Sequence, residues 1–195
     1  MSPFEFFMGF YGLLLGIGLA ELLLSFGRLI RARTRPKIGF LTPTLGALVF
    51  LQIITSLIDA WLRLQHLRID LIDMAIPIII GIAYFLVAVT VVPDDHNEWQ
   101  SLDDYFFARR KWTLGPILVI FILTLCLEVP STLRMVESEN WLNLIRYLVL
   151  NSVALVMISI SLLAKHPRIV LVAMLIQIAM LSFIYSAYLR VLRLS

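Results

Sequence analysis

Six apolar stretches alternate along the chain with short segments that hold most of its charge. An α-helix needs about 20 apolar residues to cross a bilayer core of about 30 Å, and each stretch has that length. The first, from Phe4 to Leu24, is interrupted by only two acids, Glu5 and Glu21. The pattern predicts an all-α, polytopic membrane protein with six transmembrane helices in a single domain. Their expected spans are about 4–30, 41–64, 72–92, 114–135, 141–164 and 169–189. Pro43 falls near the start of the second helix, where proline is tolerated. Pro77 kinks the third or marks its first turns.

The longest polar segment runs from Pro93 to Lys111. Ser101 followed by Asp104 is an N-cap signature. Leu102, Tyr105, Phe106 and Trp112 then recur at helical spacing. Acids stand in the first turn and Arg109, Arg110 and Lys111 in the last, which suits the helix dipole. This reads as a short cytoplasmic amphipathic helix running into the fourth span.

Composition agrees with the pattern. Hydrophobic residues make up 61% and charged residues 15%, against about 25% charged in an average soluble domain, and the mean hydropathy is +0.94. A soluble protein of this size could not hide that much apolar surface. The net charge of +3 is modest and its cations gather at helix ends, so they set topology and do not form a nucleic-acid footprint.

Arg28, Arg31, Arg33, Arg35 and Lys37 follow the first span directly, which marks a cytoplasmic exit. With the amino terminus outside, Arg109, Arg110, Lys111, Lys165 and Arg168 join them on the cytoplasmic side. Arg63, Arg68, Arg134, Arg146, Arg190 and Arg193 remain outside, a ratio of ten to six. The expectation is a bacterial inner (cytoplasmic) membrane protein with both termini outside. The start lacks a basic n-region and a small-residue cleavage pattern, so the first span is expected to persist as a signal anchor.

Charged groups inside a bilayer cost about 2.5–3.5 kcal/mol or more and should face protein or water. Glu21, Asp59 and Glu128 are such groups. One reading is an ion or proton path lined by carboxylates. The other is local pairing, Asp59 with Arg63 one turn on and Glu21 with Arg28 two turns on. Glu128 has no cation within one turn and sits beside Pro130. Gln52, Asn151 and Gln177 lie near the middle of the second, fifth and sixth helices. They either line the same polar path or make interhelical hydrogen bonds. Tyr84, Thr90, Tyr185 and Tyr188 are further polar positions in the spans.

Gly9, Gly12 and Gly16 form a small-residue stripe on the first helix, which would suit a homo-oligomer interface. Gly18, Glu21, Ser25 and Arg28 fall on another face. Tyr105, Phe106, Arg109, Arg110 and Trp112 could dock a partner protein or anionic lipid, or simply anchor the chain at the interface.

Several classes are excluded. His66, His96 and His166 all fall outside the spans, so no bis-histidine haem forms in the bilayer. The lysines lie outside too, which excludes a retinal Schiff base. Cys126 is the only cysteine, so there is no internal disulfide. The acids around His96 lack EF-hand spacing and read as a solvated loop. Walker, HExxH, GxSxG and TVGYG motifs are missing. No catalytic or metal-ligating residue is assigned and no cofactor is expected.

Pro3 to Phe6, Gly18 to Ala20 and Asp104 to Arg110 resemble short motifs in a loose group of bacterial six-helix membrane proteins. That group has no assigned activity, so the resemblance implies the architecture and no function. Two readings remain. One is a small channel or transporter for ions or small solutes. The alternative is a non-transporting membrane subunit or scaffold that docks a partner through residues 93–112.

Overall fold

The computed structural model describes residues 2–32, 36–63, 71–95, 98–138 and 140–192. Arg33, Arg35, His66, Arg68, His96 and Arg193 lie outside the described residues. So do the side chains at 3, 63, 71–73, 131 and 187–192, and with them the expected Asp59–Arg63 pair.

The chain forms six helices: α1 (Pro3–Arg31), α2 (Leu41–Arg63), α3 (Leu71–Val91), α4 (Leu102–Glu137), α5 (Trp141–Leu163) and α6 (Pro167–Leu192). All six are long and apolar enough to cross a membrane. Large apolar side chains such as Leu13, Leu23, Leu142, Leu148 and Val172 point away from the bundle. Such an apolar exterior suits lipid and is costly in water, and the fold is compatible with a multi-pass integral membrane protein.

Local chemistry sets the helix ends. Glu5, which breaks the first apolar run, closes a capping box with Ser2: the Glu5 amide donates to Ser2 Oγ at 3.1 Å and the Ser2 amide to Glu5 Oε2 at 2.7 Å. Ser101 caps α4 by accepting from the Asp104 amide at 3.1 Å. The expected short amphipathic helix is not a separate element. Residues 102–112 are the first turns of one continuous helix of 36 residues. The reason is that Lys111 to Leu114 contains no glycine or proline to break it, and Pro116, further on, is absorbed within the helix.

The helices close into a ring in the order α1, α3, α4, α5, α6, α2, with each neighbouring pair in contact. α1 packs closely on α3, with Gly18 against the backbone of Tyr84 and Phe85. A Cβ at Gly18 would stand 3.3 Å from the Phe85 nitrogen.

One end of the ring, opposite the amino terminus, is tied shut by the α1–α2 and α3–α4 connections. The Lys37 amide donates to the Gln100 carbonyl and the Leu102 amide to the Lys37 carbonyl, each at 3.1 Å. Thr42 Oγ1 donates to the Leu102 carbonyl at 3.1 Å. The Leu41 amide, the first N–H of α2, donates to Asp103 Oδ1 at 3.2 Å. Gly39 leaves room for that carboxylate, since a Cβ there would lie 2.0 Å from Asp103 Cγ. Around this clasp, Tyr105 Oη and Thr113 Oγ1 both donate to the Thr90 carbonyl, and Arg110 donates to the Ala164 carbonyl at the end of α5. Asp103 thus satisfies an otherwise orphaned helix N–H, a role worth about 1 kcal/mol. Asp103→Ala is expected to lower the unfolding free energy by about that amount, read from thermal unfolding in detergent. An unchanged melting curve would show that the contact adds nothing.

Candidate functional site: a polar cavity between the helices

The half of the bundle nearer the amino terminus holds a partly open cavity of about 270 Å³. All six helices contribute to its wall. Tyr11 comes from α1; Gln52, Thr55, Ser56 and Asp59 from α2; Pro77 and Tyr84 from α3; Thr124 and Glu128 from α4; Tyr147 and Asn151 from α5; Gln177 and Tyr185 from α6. Helical periodicity explains the convergence. Gln52, Ser56 and Asp59 stand at i, i+4 and i+7, Tyr147 and Asn151 at i and i+4, and Phe121, Thr124 and Glu128 at i, i+3 and i+7, so each set shares one face of its helix.

Five of the six intramembrane polar candidates therefore face one space: Gln52, Asp59, Glu128, Asn151 and Gln177. Glu21 does not. It sits further along α1, where Glu21 Oε1 accepts from Arg28 at 2.5 Å and from Ser25 Oγ at 3.1 Å, so it is neutralised on its own helix.

The polar groups of the cavity are tied in different ways. Tyr185 Oη donates to Asp59 Oδ2, joining α6 to α2. Tyr11 Oη and Ser56 Oγ share a hydrogen bond of 2.7 Å between α1 and α2. Asn151 Nδ2 donates to the Tyr147 carbonyl one turn back at 3.0 Å, and Thr124 Oγ1 likewise to Ile120 at 2.9 Å. Gln177 is 4% exposed. Gln52 Oε1 is fully buried and, among the described residues, meets no hydrogen-bond donor. A buried carbonyl left without a donor costs about 1–3 kcal/mol.

Among the described residues the wall carries two carboxylates and no lysine, arginine or histidine. Aromatic rings from Tyr11, Tyr84, Phe121, Tyr147 and Tyr185 line the same space and add faces on which a cation can rest. The volume lies near the low end of ligand pockets, which run from about 300 Å³ upward, so the guest it fits is small. Among the described residues no group of three metal-ligating side chains converges.

Sequence reasoning misses Tyr11, Ser56, Thr124 and Tyr147. Hydroxyl side chains in spans often bond back to their own helix, as Thr124 does, and carry little depth signal. The usable signal is register with Asp59, Asn151 and Glu128.

The other candidates are dispersed. Tyr105 and Phe106 are 9% and 3% exposed and belong to the packed interior. Arg110 lies over the Phe107 ring at 5.5 Å besides its bond to Ala164. Only Arg109 and Trp112, the latter 70% exposed, face outward. Gly9 and Gly16 are exposed with open space beside them, and a Cβ at Gly12 would meet Leu57 Cδ1 at 3.8 Å. No family model, curated protein or solved structure matches the chain.

Proposed function

We propose that the protein is a small membrane transporter whose substrate is a small cation, held in the polar cavity by Asp59 and Glu128. The observation that carries this reading is a bundle interior with two carboxylates and, among the described residues, no basic side chain in its wall. Carboxylates at that depth are costly, and a passing cation offsets the cost. Tyr185 orients Asp59 through its hydrogen bond, while Glu128 faces the cavity from across the ring. Gln52, Asn151 and Gln177 supply neutral ligand atoms. The clasp at the far end supports a carrier that binds first and opens second over a continuous pore.

By the charge asymmetry of the sequence, the cavity half is the outer half and the clasp is cytoplasmic. The test is uptake of cations (protons, alkali ions and short amines) into liposomes containing the purified protein, beside Glu128→Gln. Uptake by wild type that falls about tenfold or more in the variant, equivalent to about 1.4 kcal/mol of lost binding, is the expected result. Folded wild-type protein giving no uptake in any gradient would overturn transport. It would then favour the docking alternative, for which Arg109 and Trp112 are the exposed residues.

A further inference from the structure

At the clasp end of the bundle, one bond joins α4 to the α5–α6 turn. Arg110 donates to the carbonyl of Ala164, the C-cap of α5, where the helix dipole favours a cation. Lys111 is next in sequence to Arg110 and Lys165 to Ala164, so the bond sets both on one edge, and Arg168 follows in the first turn of α6. All three side chains are exposed. Among the described residues no acidic side chain forms an ion pair with Lys111, Lys165 or Arg168. The acids on the first turn of α4 are engaged elsewhere, Asp103 with the Leu41 amide and Asp104 with Ser101. The turn also fixes depth. The apolar spans of α5 and α6 are Trp141–Leu163 and Pro167–Ser186, with only Ala164, Lys165 and His166 between them. Lys165 and Arg168 therefore stand where the chain leaves hydrocarbon, at the level of lipid phosphates, and the Arg110 bond brings Lys111 to the same level. Trp112, Leu163 and Ile169 are exposed beside them, and tryptophan is favoured at that boundary.

We infer that this edge is a binding site for an anionic phospholipid, its phosphate held by Lys111, Lys165 and Arg168 and the start of its acyl chains lying on Trp112, Leu163 and Ile169. The site is separate from the cavity and stands whether or not the protein transports a cation. Charge complementarity selects the head group, since basic side chains at this depth attract anionic lipid. A zwitterionic lipid would bring its own ammonium group against the same cations. The apolar side chains select a lipid over free phosphate, which has nothing to lay on Trp112 or Leu163. The Arg110 bond makes the edge a site and not a diffuse charge, because it holds the cations of α4 and of the α5–α6 turn in fixed register.

The experiment mixes the full protein, purified in nonionic detergent, with equal amounts of dioleoylphosphatidylglycerol and dioleoylphosphatidylcholine. Retained lipid is read by native mass spectrometry. The phosphatidylglycerol adduct is expected to exceed the phosphatidylcholine adduct about tenfold. Lys165→Gln with Arg168→Gln should lower it by a similar factor. Arg31→Gln with Lys37→Gln removes the same charge from the same end of the bundle at exposed positions and should leave it unchanged. Excess inorganic phosphate should not displace the lipid. If the Lys165 and Arg168 pair of changes lowers the melting temperature, Lys111→Gln alone gives the reading, again as a loss of the adduct. Equal retention of the two lipids would overturn the inference. So would an equal loss in both paired variants, which would reduce the effect to net charge, or displacement by phosphate, which would make the ligand a free anion.

Discussion

Asp59→Asn combined with Glu128→Gln is expected to reduce cation uptake to the background of empty liposomes, a loss of about a hundredfold or more, and to raise the thermal stability of the protein. The two effects share one cause. Each carboxylate at that depth is held against a desolvation penalty of several kcal/mol, which a bound cation helps to offset. A single substitution leaves half of the negative charge. In Glu128→Gln, Asp59 remains with Tyr185 bonded to it, so residual uptake is expected, whereas the double variant offers a cation only neutral oxygens. Neutral amides of the same shape keep the cavity filled, so packing is preserved while the penalty disappears. A rise of a few degrees in the melting temperature with uptake lost would mark the carboxylates as functional groups that cost stability. A fall in stability, with uptake lost only through unfolding, would make them structural and remove the ground for transport.

The six helices were legible because crossing a bilayer imposes a length and composition that few other structures need. Of the polar positions that stand out within the apolar stretches, Gln52, Asp59, Glu128, Asn151 and Gln177 face one cavity. Glu21 resembled them in sequence and differs in structure because Arg28 lies two turns away on its own face. The ring order was not legible. Lipid tails are as apolar as leucine, so hydrophobicity does not distinguish a face turned to lipid from one turned to another helix. Tyr105 and Phe106 read as an interfacial patch for this reason, yet they pack inside. The clasp was hidden as well. It depends on the backbone of Lys37 meeting Gln100 and Leu102, far along the sequence, where no side-chain pattern announces the pairing.

Gly18→Leu is expected to destabilise the fold by about 3 kcal/mol, near the upper end for overpacking, and to abolish uptake in whatever protein remains folded. A Cβ at Gly18 already meets the Phe85 backbone at 3.3 Å, so a leucine side chain can fit only if α3 moves away from α1. Backbone cannot swing aside as a side-chain tip can. The displaced segment includes Tyr84 and leads to Ile80 and Pro77, all of which line the cavity, so packing and binding fail together. Gly16→Leu is the matched control, two residues away on the same helix. Gly16 has open space beside it, and replacing an exposed helical glycine with leucine gains up to about 1 kcal/mol in helix propensity. That variant should therefore fold at least as well as wild type. If both substitutions proved equally harmful, Gly16 would be packed against something outside the chain, and the stripe with Gly9 would become a contact between copies. If both were tolerated, α1 and α3 would not be in the close contact on which the ring depends.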